Sequence, residues 1–130
     1  MIETPYLLFL GDVPDQLAAK VAQGIKDWRP GNCVGQLRLD GCKADLGLPD
    51  MDLAAAKAAG AKTLVIGVAN RGGVIGPAWK KVLVNALEEG FDLASGLHNL
   101  LRDEPDLVAV AEATGRSLHD VRVPEVDYPI

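Results

Sequence analysis

Apolar and polar positions change period several times along this 130-residue chain, and each change marks a structural element. Residues 6–10 form a short apolar run stopped by Gly11-Asp12. Pro14 and Asp15 then open a helix with Leu17, Ala18, Val21, Ala22 and Ile25 on one face. Residues 34–39 alternate apolar and polar, which predicts a strand nearer a sheet edge. A polar, glycine-containing connection covers 40–50, and Asp52 stands ready to cap a short alanine-rich helix that stops at Gly60. Residues 63–68 are mostly apolar and rich in β-branched side chains, the pattern of a strand buried on both faces. After Gly76-Pro77 a helix carries Trp79, Leu83, Ala86 and Leu87, and Gly90 closes it. Residues 91–94 predict a fourth strand, ended by Ser95-Gly96-Leu97-His98. Pro105 opens a helix bearing Leu107, Val108, Val110 and Ala111 that Gly115 closes, and residues 118–123 form the last strand.

Strands that alternate with glycine-closed helices predict an α/β fold. The expected architecture is a Rossmann-like three-layer αβα sandwich with a five-stranded parallel sheet and helices on both faces. The short turns after the helices belong to one edge of that sheet. The longer loops that begin at Gly11, Asp40, Ala69 and Ser95 emerge together at the carboxyl edge, where open α/β sheets bind ligands. Residues 1–123 read as one domain, and Pro124-Glu125-Val126-Asp127-Tyr128-Pro129-Ile130 reads as the start of a linker.

The carboxyl-edge loops carry the candidate chemistry. In Asn70-Arg71-Gly72-Gly73 the glycines let backbone approach a ligand, and the helix behind them offers free N–H groups to an anion. Arg71 adds a planar fork suited to a carboxylate or a phosphate; a tight turn with a surface arginine is the plainer reading. His98 follows the next strand, where a histidine serves as general base, orients a substrate, or bonds backbone at a helix start. Ser95 stands beside it in the same loop. Gly11-Asp12-Val13-Pro14-Asp15 has one glycine where a dinucleotide fold carries three, and Asp12 would repel a pyrophosphate. Asp12 is suited to hold a substrate amine or to cap the following helix. Cys42 beside Lys43 allows a stabilised thiolate, but no catalytic partner lies near it in sequence. Asp120 and Arg122 fall on one face of the last strand, placed either to touch another domain or a ligand, or to form an edge-strand ion pair.

Composition narrows the function classes. The residues are 48% hydrophobic and only 5% aromatic, so the core is aliphatic. A net charge of -5 argues against non-specific nucleic-acid binding. No apolar run has the length of a membrane span, and Met1-Ile2-Glu3-Thr4-Pro5 lacks the features of a signal peptide, so a cytoplasmic protein is expected. Cys33 and Cys42 read as buried or half-buried free thiols, and no spacing of Cys and His resembles a metal site.

Several segments occur in a telling order: Val34-Gly35-Gln36-Leu37-Arg38, Gly41-Cys42-Lys43-Ala44-Asp45-Leu46-Gly47, Val65-Ile66-Gly67-Val68-Ala69-Asn70-Arg71-Gly72-Gly73, Ser95-Gly96-Leu97-His98 and His119-Asp120-Val121-Arg122. Together they resemble the N-terminal domain of the D-glutamate N-acetyltransferase family, over essentially the whole chain. The resemblance implies transfer of acetyl from acetyl-CoA, as co-substrate, to the amine of D-glutamate in D-amino-acid catabolism. No tightly bound cofactor or metal is expected. It also implies a partner, a C-terminal P-loop-like domain whose motif is absent from these residues and which would take the CoA phosphates. The isolated domain is then expected to be inactive. Asn70, Arg71, Gly72, Gly73 and Ser95 would bind the amino acid, and His98 or Asp12 would accept the amine proton. A different class stays open: a non-catalytic Rossmann-like domain that docks and oligomerises a catalytic half, or binds a small ligand.

Overall fold

The computed structural model describes residues 4–13, 15–16, 19–28, 30–66, 77–95, 101 and 104–120. The chain order is β1 (Tyr6–Gly11), α1 (Lys20–Trp28), β2 (Cys33–Arg38), α2 (Leu53–Ala58), β3 (Thr63–Ile66), α3 (Pro77–Glu88), β4 (Asp92–Ser95), α4 (Pro105–Thr114) and β5 (Leu118–Asp120). All five strands are parallel, in the order β2-β1-β3-β4-β5. Leu7, Leu8, Phe9 and Leu10 are wholly buried, as the central strand of a sheet covered on both faces requires. From β1 the chain steps to one side for β2, then returns past β1 to β3. Right-handed crossovers therefore place α1 on one face and α2, α3 and α4 on the other. The result is the α/β, Rossmann-like sandwich that the sequence pattern predicts.

Local chemistry sets the helix ends. The Asp52 carboxylate accepts from the Ala55 N–H at 2.8 Å, the cap expected for α2. Pro105 opens α4, and Gly115 closes it in a left-handed conformation. The fourth strand begins at Asp92 rather than at Phe91. The Phe91 N–H bonds the Ala86 carbonyl at 3.0 Å and so belongs to the closing turn of α3. The second strand ends at Arg38, one residue early, because the Leu39 carbonyl accepts from Cys42 at 3.1 Å and starts a turn. Val68 of the third predicted strand, Leu17 and Ala18 of the first predicted helix, and residues 121–123 of the last strand lie outside the described residues.

The two edges of the sheet differ in kind. At the amino edge, where α2, α3 and α4 end, the Lys57 ammonium donates to the Glu89 carbonyl. Arg116 donates to the Gly90 carbonyl at 3.3 Å. These cations sit on the negative ends of helices and have a structural role there. At the carboxyl edge, the reversal between β1 and β3 opens the switch point at which such sheets bind ligands.

Candidate functional site

The switch point is built from the end of β1 and the start of α3. Gly11 closes β1 with φ +58, and Asp12 follows it, exposed. From the first turn of α3 the Trp79 indole, 3% exposed, packs edge-on against Phe9 with ring centroids 5.2 Å apart and planes at 84°. Its Nε1–H donates to Oδ1 of Asp12 at 2.9 Å. Asp12, suited to holding an amine or to capping the next helix, meets α3 across the switch point through this bond, and α1 is described only from Lys20. Trp79, read from the sequence as an apolar helix position, is thus a polar contact of the site. The available signal was its indole N–H, which needs an acceptor when buried.

Ser95 ends β4 in register with Ile66 and is 1% exposed, enclosed on the side of the sheet that α3 covers. Asp120 pairs in register with Ser95, and Arg122 lies outside the described residues. His119, opposite Ala94, has an Nε2 atom that is buried without a hydrogen-bond partner. Asn70, Arg71, Gly72, Gly73 and His98 all lie outside the described residues. Among the described residues no cluster of His, Cys, Asp and Glu could hold a metal ion, and no helix is long and apolar enough to cross a membrane.

A cleft of about 840 Å³ opens beside the switch point, at the carboxyl end of β2. Leu39, Met51, Leu53 and Val82 supply apolar walls, and Asp40 and Asn85 supply polar groups. One wall is the Arg38–Asp50 pair, a two-pronged contact in which Nε and NH2 each lie 2.7 Å from a carboxylate oxygen. Gln36 sits beneath it, 1% exposed. Its amide donates to Asp45 at 2.9 Å and to Asp50 at 3.1 Å, and its carbonyl accepts from the Leu46 N–H at 2.8 Å. The connection after β2 therefore folds back over its own strand. Gly35 permits this, since a Cβ there would lie 2.8 Å from the Pro49 carbonyl and from Met51 Sδ.

Cys42, half-buried, directs its thiol at the carbonyls of Ala44, at 3.6 Å, and Leu10, at 3.9 Å. It is engaged as a weak donor. Burial pushes the Cys33 thiol above its ordinary pKa, against the opposing pull of Lys26, so it stays protonated.

The cleft wall has a pH signature. The Arg38 fork, then Gln36, holds the Asp50 carboxyl below its usual pKa; Gln36 and then the Gly47 N–H do the same for Asp45. Carboxyls lowered in the folded state stabilise it above the ordinary Asp pKa of about 3.9. That contribution disappears as pH falls through the lowered folded values. Asp50→Asn should therefore flatten the decline of stability in acid, with little change in slope above pH ~5. Urea unfolding of both proteins across that range checks it, and parallel curves would show that the pair carries no such linkage.

Residues 37–124 match the family described as a domain of unknown function, the DUF1611_N Rossmann-like domain. The chain is 80% identical over 130 residues to a D-glutamate N-acetyltransferase of Tritonibacter scottomollicae and 40% identical over 127 residues to one of a Pseudoalteromonas species. It spans 39% and 38% of the length of these two relatives, which carry further polypeptide. A DUF1611 family protein from Anabaena variabilis superimposes with a TM-score of 0.76 at 23% identity, covering 96% of this chain and 39% of that one. Staphylococcus aureus homoserine dehydrogenase does so with a TM-score of 0.58 at 16% identity, over 92% of this chain and 33% of that one, a likeness of fold alone. With more than half of its length matched, the chain belongs to the DUF1611_N family of Rossmann-like domains.

Proposed function

We propose that this chain is the amino-acid-binding part of an N-acetyltransferase that moves acetyl from acetyl-CoA to the amine of D-glutamate. One observation carries the reading: the 80% identity, along the whole chain, to a relative named D-glutamate N-acetyltransferase. In the reaction the amine nitrogen attacks the thioester carbonyl, the new C–N bond forms, the C–S bond breaks, and the amine proton passes through a base to the departing thiolate. Arg71, with Asn70 and the backbone of Gly72 and Gly73, holds the substrate carboxylates. Asp12 receives the amine at the switch point, and His98 takes its proton. Ser95 lines the same edge. The polypeptide that the relatives carry beyond this domain takes the coenzyme, as the P-loop-like partner.

Much of a transferase's acceleration comes from holding both reactants together, so a part that holds one of them is nearly inert. Calorimetric titration with D-glutamate should show binding to this 130-residue chain. Thiol release from acetyl-CoA should be at least 1000-fold slower than with the longer protein, on the order of effective-molarity losses. Thiol release at the longer protein's rate would place the whole reaction here. Absence of D-glutamate binding would turn the reading to a docking domain.

A further inference from the structure

The Trp79 ring is enclosed, and an indole N–H in such a place needs an acceptor. Here the acceptor is an exposed carboxylate, 67 residues earlier in the chain and at the end of a different element. Three features at the end of β1 and just beyond it serve this contact. Phe9 is the wall on which the ring stands edge-on. Gly11 leaves a gap: a Cβ there would lie 2.7 Å from Nε1 and 2.5 Å from Cε2 of the indole. Asp12 then turns one oxygen, Oδ1, onto the N–H and keeps Oδ2 out of that bond. The indole bridges the two segments that frame the switch point: the end of β1 and the first turn of α3, to which the chain returns after β3.

We propose that Trp79 is a positioning residue: its indole N–H fixes the Asp12 carboxylate in the orientation that receives the substrate's amine. This rests on the reading of Asp12 given above. An exposed aspartate samples several rotamers, and a single oriented donor from a buried ring selects one of them. The second oxygen is then left for the nucleophilic amine on a carboxylate of fixed orientation.

The test uses the longer acetyltransferase that contains this domain, with thiol release as the readout. Trp79→Phe keeps the edge-on contact with Phe9 and removes the donor. It should lower kcat about tenfold with KM for D-glutamate within about twofold, since the carboxylates are held elsewhere. Asp12→Ala should lower kcat about 100-fold. In the Asp12→Ala background, Trp79→Phe should add less than about twofold, because its target is already gone. Should Trp79→Phe fold poorly by thermal unfolding, a benzothienyl analogue of tryptophan placed at position 79 carries the same test. That ring keeps the volume and has sulfur in place of N–H. A tenfold loss that persists in the Asp12→Ala background would make Trp79 a packing residue and overturn the proposal. Full activity of Trp79→Phe beside a crippled Asp12→Ala overturns it as well. Parental kinetics of Asp12→Ala would instead overturn the reading of Asp12 on which it rests.

Discussion

Gly11→Ala is expected to destabilise the fold by about 3–6 kcal/mol, as the sum of a backbone effect, an overpacking effect and a lost hydrogen bond. The backbone at residue 11 has φ +58, where an L-residue with a Cβ costs about 1–2 kcal/mol. The new methyl would meet the Trp79 ring at 2.5 Å, and the ring is buried against Phe9, so it has no open side to which it can yield. Overpacking of this kind costs about 1–3 kcal/mol. Moving the indole also breaks its bond to Asp12, worth about 1 kcal/mol or somewhat more because the acceptor is charged. Urea unfolding at neutral pH measures the sum. A loss below about 1 kcal/mol would show that α3 shifts freely, and would weaken the case that Trp79 holds a fixed place at the switch point. Gly24, with no atom within 4 Å of an added Cβ and no positive φ, is the control: Gly24→Ala should leave stability level or slightly raised, as alanine favours helix.

The elements legible in the sequence are those whose signals are local. Pro77 and Pro105 at helix starts, Gly115 at a helix end and Asp52 as a cap each act within one helical turn. The all-apolar pattern of residues 64–66 follows from burial on both faces, which needs no knowledge of the partners. Trp79 and Asp12 are different, because their pairing depends on the reversal between β1 and β3 that brings distant segments together. Gln36 shows the same limit. In an alternating strand a glutamine reads as an outward position, yet residues 45–51 fold back over β2 and bury it. Gly35 was the available signal: a glycine inside a strand marks a close backbone approach, here that of Pro49 and Met51. The sequence alternation placed β2 at an edge correctly, and the parallel bridge between Gln36 and Asp50 is what covers that edge.

Gln36→Leu should lower stability by about 2–4 kcal/mol despite the near-equal volume of the two side chains. The Leu46 N–H, which donates to the Gln36 carbonyl, would be left buried without an acceptor, at a cost of about 1–3 kcal/mol. Asp45 and Asp50 would each lose a donor, but both are exposed and recover water, so their share is smaller. Gln36→Glu separates these contributions. A carboxylate at 36 still accepts from Leu46, but now opposes Asp45 and Asp50 with like charge. Its own pKa in the folded state must rise above the unfolded value of about 4.3. The deficit relative to wild type at the same pH should then be small in acid and grow as pH rises through and above that unfolded value. Gln36→Leu has no such titration, so its deficit should shrink in acid only by as much as the Asp45 and Asp50 bonds contributed. A deficit in Gln36→Glu that does not change with pH would mean that residues 45–51 swing away from β2 and relieve the repulsion. The cleft at the carboxyl end of β2 would then be a shape that depends on Gln36, and its Arg38–Asp50 wall would be lost in both variants.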